Sequence, residues 1–181
     1  MVFKSAHVGL LVLALVVATA SLSAQGQKGL QVVPVVRGDR LYVSFELRDG
    51  LTSDVRAAID SGLKTIFTYT VDLRLDAGLW IDRSVAQAVV TNSVEYDNLE
   101  GKHTLERRID GRAEPSVTTK DPLEVRQWMT KVKDAPLFST RVLQRNRDYY
   151  VRVSASARPS YGSILWPFGS GTSAQTKFFF R

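Results

Sequence analysis

The stretch that decides the fold is Gly62–Asp76, which reads GLKTIFTYTVDLRLD. Six of its seven odd-numbered positions are apolar, and six of the seven even-numbered positions from Lys64 to Asp76 are polar. Successive side chains of a strand point to opposite faces, so this pattern predicts a long strand with one face in a core and the other in water. We expect this strand to be the central strand of a sheet.

The chain on either side of this strand shows the same alternation. Leu41–Arg48 and Tyr149–Arg158 alternate apolar with polar residues, and Gly38-Asp39 and Asp110-Gly111 are typical of hairpin turns. Short turns and one-sided strands favour antiparallel pairing. The sequence therefore predicts a mainly β fold, an antiparallel β-sandwich or curved sheet of about eight or nine strands with two short helices.

The two predicted helices have apolar residues at helical spacing. The first lies within Thr52–Ser61 and the second begins at Asp121, a favourable N-cap that is followed by a proline. We expect the second helix to continue to about Lys133, with Trp128 in the core, and Leu137–Leu143 to form a weaker strand. Asn92 interrupts the apolar face of another strand and predicts a bulge there.

The first 24 residues have the pattern of a secretory signal peptide. Lys4 precedes an apolar run over Val8–Ala18, and small residues suited to cleavage follow near residues 20–24. The run is short for a membrane span, although an uncleaved anchor is the alternative. We expect a signal peptide at 1–24, a linker at 25–30 and a single exported β-rich domain at 31–181.

Composition excludes several chemistries. The chain contains no cysteine, which excludes disulfides and thiolate metal sites. Removal of Lys4 with the signal leaves 23 basic against 18 acidic residues, a net charge of +5. This mildly basic balance favours anionic components of the cell envelope, and in an exported protein we expect no nucleic acid partner.

Few side chains suit catalysis. His103 would be the only histidine of the mature chain, so we expect no metal site and no cofactor. We expect His103 to have no catalytic role and to be a surface or half-buried residue of a strand. Asp72, Asp76 and Asp82 lie on or just after the central strand and could perform acid–base work, which keeps a small envelope hydrolase open as an alternative.

The candidate binding residues are Trp80, Asp82, Arg83, Trp166 and Phe168. The first three follow the central strand, and the last two lie in a glycine- and serine-rich loop at 159–174. The loop aromatics either plug an open end of the sandwich or form a binding edge. A second candidate is an anion-binding surface built from five arginines, namely Arg141, Arg145, Arg147, Arg152 and Arg158.

The chain resembles the bacterial exported family known as domain of unknown function 4390. The resemblance is carried by Gly50-Leu51, Ala57-Ala58-Ile59, Ser61-Gly62-Leu63, Phe67–Leu75, Trp80 with Asp82, Tyr96-Asp97-Asn98-Leu99, the helix at Pro122–Lys133 and the strand at Tyr149–Arg158. It implies a periplasmic or membrane-facing domain with no established activity. Because some relatives are encoded beside membrane sensor kinases, it also implies a sensory accessory role as an alternative.

We therefore expect an exported, non-enzymatic binding or interaction module of the cell envelope. Its expected location is the periplasm or envelope, after signal-peptide cleavage near residues 20–24. The expected partner is an envelope protein or an anionic envelope component, with peripheral membrane contact as a further expectation.

Overall fold

The computed structural model describes residues 29–78, 82–159 and 172–181. The predicted signal peptide and most of the predicted linker lie outside these residues. The strands are β1 Leu30–Arg37, β2 Arg40–Leu47, β3 Thr65–Leu75, β4 Arg83–Asp97, β5 Lys102–Ile109, β6 Arg112–Ala113, β7 Val117–Thr119, β8 Lys131–Ser139, β9 Arg147–Pro159 and β10 Thr172–Phe180; the helices are α1 Ser53–Asp60 and α2 Pro122–Thr130.

The strands form two antiparallel sheets, which confirms the predicted fold class. The small sheet has the order β1-β2-β8, and the large sheet has the order β10-β9-β3-β4-β5-β6, with β7 also paired to β5. The ten strands of the described residues exceed the predicted eight or nine, and two of them, β6 and β7, are only two and three residues long. A 3₁₀ turn at Thr140–Val142 connects the small sheet to β9.

β3 occupies the centre of the large sheet, as its alternation predicts. It pairs with β4 on one side and β9 on the other. Its inner side chains are fully buried against the small sheet, while the intervening ones are only partly covered. Burial of each large apolar side chain contributes about 1.5–3 kcal/mol, so this face is a principal source of stability.

Different elements close the sides of the sandwich. Near the first strand, the Thr176 hydroxyl of β10 donates a 2.8 Å hydrogen bond to the Val32 carbonyl of β1. On the other side, α2 packs against β4, β5, β7 and β8. Helix α1 covers one end, where Gly62 has a left-handed φ of 83° and its N–H bonds the Ile59 carbonyl at 2.9 Å.

The predicted extension of the second helix to Lys133 is wrong. α2 ends at Thr130, and residues 131–139 form β8, the outer strand of the small sheet. Two register irregularities occur where β8 pairs with β2, and Asp134 has a φ of 48°. The buried residues of β8 consequently recur every third position, at Val132, Ala135 and Phe138, which obscures the strand alternation.

Two further predictions differ from the structure. Asn92 keeps regular register in β4, and the irregularity between β3 and β4 falls at Leu73/Arg74 instead. The predicted bounds of the loop at 159–174 are too wide at both ends. In the structure Pro159 belongs to β9, and β10 begins at Thr172.

Candidate functional site

The turn after β3 is fastened to the outer face of the large sheet by Asp82. Its carboxylate accepts a 2.8 Å hydrogen bond from the Tyr150 hydroxyl and a 3.3 Å bond from the Ala77 N–H. The Asp82 backbone carbonyl accepts a 2.9 Å bond from Nη2 of Arg74. Asp82 therefore acts as a latch that ties the start of β4 to Ala77 and to Tyr150 of β9.

Tyr150 is the buried half of this latch. Its side chain is only 2% exposed although it lies on the outward-facing side of β9. Burial, reinforced by the bond to Asp82, raises the pKa of the Tyr150 hydroxyl above its usual range. The guanidinium of Arg152 lies 5.5 Å from the centre of the Tyr150 ring, a cation–π distance.

The neighbouring carboxylates are also engaged. Asp76 accepts a 2.5 Å bond from Lys177 and a 3.2 Å bond from the Gly78 N–H, and these bonds lower the pKa of the Asp76 carboxyl. Asp72 accepts a 2.8 Å bond from the Gln87 amide. The three carboxylates are thus spread over the turn and the outer sheet face, each with its own donor.

The other predicted binding residues are not brought together in the described part of the chain. Arg83 is exposed at the first position of β4. Trp80, Trp166 and Phe168 lie outside the described residues. Of the predicted arginine surface, Arg152 bonds Gln175 on the outer face of the large sheet, so it is separated from the turn arginines.

The fold gathers exposed arginines at the end of the sandwich to which β3 runs. The Thr140 N–H bonds the Asp39 carbonyl at 2.8 Å, which joins the 3₁₀ turn to the β1–β2 hairpin. The Asn146 N–H bonds the Phe180 carbonyl at 2.8 Å, which joins the following turn to the last strand. We call the resulting surface the basic end; it consists of Arg40, Arg141, Arg145 and Arg147, all exposed.

The basic end has a surplus of positive charge. Within residues 29–78, 82–159 and 172–181, none of its four arginines forms an ion pair with a carboxylate. Two exposed aspartates, Asp39 in the hairpin and Asp148 in β9, are each next to one of these arginines in the chain and only partly offset the four positive charges. Such a surface attracts anions in solution.

Two large apolar side chains are exposed at this same end. Val142 of the 3₁₀ turn is 43% exposed, and Phe179, which pairs with Asp148 beside the basic end, is 51% exposed. Leu143 is buried and anchors the connection that carries Arg141 and Arg145. The exposed apolar groups therefore sit on a backbone that is fixed to the core.

A partly buried arginine elsewhere has a structural role. Arg107 of β5 donates from Nη2 to the carbonyls of Trp128 and Lys131 at 3.0 Å each, and its guanidinium lies 4.6 Å from the centre of the Trp128 ring. Asn92 bonds the same Trp128 carbonyl at 2.9 Å. These donors satisfy the C-terminal carbonyls of α2, where a positive charge is favourable.

Sequence reasoning missed this capping role. It treated Asn92 as a break in a strand, whereas a buried amide opposite a helix C-terminus is a common means of satisfying carbonyls. Trp128 packs against the core as expected, and its indole N–H bonds the Glu106 carbonyl at 3.3 Å. His103 is half-buried against the Tyr96 ring, with 4.7 Å between ring centres.

Within the described part of the chain, a shallow groove lies on the outer face of the small sheet. It has a volume of about 160 Å³ and is lined by Gln31, Val33, Ser44, Phe45, Glu46, Lys131, Val132 and Lys133. Lys131 pairs with Glu46 at 3.2 Å across it. The described residues contain no group of three or more histidine, aspartate or glutamate side chains arranged to hold a metal ion.

These features define an antiparallel β-sandwich with a latched turn and a basic end. The chain belongs to the family described as Domain of unknown function (DUF4390), whose pattern matches residues 28–160. This match confirms the resemblance seen in the sequence. No curated protein and no solved structure matches the chain. Among the described residues, no helix is long and apolar enough to cross a membrane.

Proposed function

We propose that this protein is an exported, non-enzymatic binding module of the bacterial cell envelope, and that it binds its partner through the basic end. The observation that carries the proposal is the group of four exposed arginines that the fold gathers from the β1–β2 hairpin and the two following turns. Such a surplus of exposed positive charge suits binding of an anionic partner.

Export is supported by the sequence of residues 1–24, and the envelope location by the family resemblance. Fractionation of cells that carry a C-terminally tagged chain tests both, with mass spectrometry of the mature N-terminus. We expect the product to begin after Ala20 or Ala24 and to leave the cytoplasm. Retention of the full-length chain in the cytoplasm would contradict the proposal.

Binding through the basic end is tested by photo-crosslinking in cells. A photoreactive residue at Arg141 or Arg145 should capture a partner, whereas the same residue at Arg56, exposed on α1 at the other end, should not. Equal capture from both positions would contradict the proposed surface.

The hydrolase alternative draws on Asp72, Asp76 and Asp82, and the geometry favours it less. A general acid needs a raised pKa, but the bond from Lys177 lowers the pKa of Asp76. Asp82 is taken up by the latch with Tyr150. The sensory alternative rests on the family resemblance alone, and crosslinking to a membrane kinase would support it.

A further inference from the structure

We infer that the partner of the basic end is an anionic lipid surface, and that the end docks on the membrane with Val142 and Phe179 entering the headgroup region. This inference rests on the proposed function and names its partner. It follows from the presence of unpaired arginines and two exposed apolar side chains at the same end of the sandwich.

The charge argument comes first. Each arginine or lysine held near an anionic leaflet contributes about 1 kcal/mol, and the attraction extends over about one Debye length. The hairpin and the two following turns present Arg40, Arg141, Arg145 and Arg147 together, and the described chain places no carboxylate in ion-pair contact with them. Asp39 and Asp148 reduce the surplus without cancelling it.

The apolar argument distinguishes a membrane from an acidic protein or polymer. Interfacial binding combines electrostatic attraction with burial of apolar groups at the headgroup level. Val142 lies beside Arg141, and Phe179 pairs opposite Asp148, the residue after Arg147. Half-exposed valine and phenylalanine gain little from a purely ionic partner, whereas a bilayer buries them.

The geometry of the end suits a flat partner. One backbone hydrogen bond of 2.8 Å joins the hairpin tip to the 3₁₀ turn, and another joins Asn146 to the end of β10. These bonds fix the backbone of the turns that carry the arginines. The opposite end carries the β4–β5 turn, where Leu99 is 97% exposed, and therefore supplies a matched control position.

Vesicle binding tests the inference. The chain without residues 1–24 retains every described core residue and is the protein to use. We expect it to sediment with vesicles of phosphatidylglycerol and phosphatidylcholine but not with phosphatidylcholine alone, and to be released as salt rises from about 0.05 to 0.5 M. Arg141→Gln with Arg145→Gln removes two charges and should weaken partitioning about thirtyfold.

The matched control is Arg56→Gln with Arg112→Gln, which removes two exposed arginines away from the basic end. It should bind within about twofold of the unaltered protein, because those charges lie beyond a Debye length of a surface docked at the basic end. Equal loss in both double variants would show diffuse charge attraction and overturn the inference. Absence of binding to the anionic vesicles would also overturn it.

Insertion of the apolar side chains into the membrane is measured with a dye attached to an introduced cysteine. The chain contains no natural cysteine, so the dye labels only that position. A polarity-sensitive dye at Val142→Cys should shift to the blue on anionic vesicles, whereas the dye at Leu99→Cys should not. No shift at position 142, together with tight arginine-dependent binding to polyglutamate, would make the partner an acidic polypeptide and overturn the inference. In that case the proposed function would stand if crosslinking from Arg141 still captured an envelope protein.

Discussion

The hydroxyl of Tyr69 donates a 2.7 Å hydrogen bond to the carbonyl oxygen of Met129. This bond joins the buried face of β3 to the C-terminus of α2. Burial raises the pKa of Tyr69 above its usual range, so the phenol remains a neutral donor. The central strand therefore fixes the position of the helix end as well as forming the core.

We predict that Tyr69→Phe lowers the free energy of unfolding by about 1 kcal/mol, the usual contribution of one hydrogen bond. The effect stays moderate because the Asn92 amide also reaches the Met129 carbonyl, at 3.3 Å. Urea denaturation measures the change. Tyr96→Phe is the control, since no hydrogen bond of the Tyr96 hydroxyl occurs among the described residues, and equal losses in the two variants would contradict the prediction.

Arg107→Met should destabilise the protein by about 2–3 kcal/mol, because it leaves helix carbonyls without their charged donor. Arg108 is the next residue in β5 and is exposed, so Arg108→Met is the control. It should lower the free energy of unfolding by less than about 0.5 kcal/mol. Both values come from chemical denaturation. If Arg107→Met were as mild as Arg108→Met, the capping role of Arg107 would be wrong.

The latch between Asp82 and Tyr150 should appear as coupling in a double-mutant cycle. We expect Asp82→Asn and Tyr150→Phe to couple by about 0.5–1.5 kcal/mol, because the first change removes the charge of the acceptor and the second removes the donor of the same hydrogen bond. Thermal unfolding of the four proteins gives the value. A cycle of Asp72→Asn with Tyr150→Phe serves as control and should show coupling near zero, since Asp72 bonds Gln87 instead.

Stability should fall in alkaline solution through two tyrosines. The pKa values of Tyr69 and Tyr150 are raised in the folded protein, so above about pH 10 the unfolded chain loses these protons more readily than the folded one. The contribution of these two hydroxyls to the free energy of unfolding is therefore fully present below about pH 10. It is lost as the pH rises through the pKa values that the two tyrosines have in the folded protein. The variant with Tyr69→Phe and Tyr150→Phe should show a flatter melting temperature between pH 8 and 11, and an unchanged slope would refute this account.

The alternation of Gly62–Asp76 was sufficient to predict the central strand. In the structure β3 pairs with a strand on each side, and one of its faces lies in the core. Phe67, Tyr69, Val71 and Leu73 are all buried as that pattern requires. The mainly β, antiparallel fold class was predicted from the short turns between strands that alternate apolar and polar residues. These features depend on local spacing, which a sequence displays directly.

Features that depend on distant contacts were harder to predict. The irregular pairing of β8 changed the spacing of its buried residues to three, so Val132 was assigned to the preceding helix. Arg40 was missed at the basic end because its place beside Arg141 depends on the bond between Asp39 and Thr140, about one hundred residues apart in the chain. Asn92 and Arg107 likewise meet the end of α2 only in the folded protein.

The bond between Val32 and Thr176 has a consequence for the timing of folding. It spans 144 residues, so β1 meets β10 only after the last strand has been made. Contacts of such long sequence separation slow folding, since the closure of a large loop precedes them. The side of the sandwich where β1 meets β10 therefore closes only when synthesis of the chain is nearly complete.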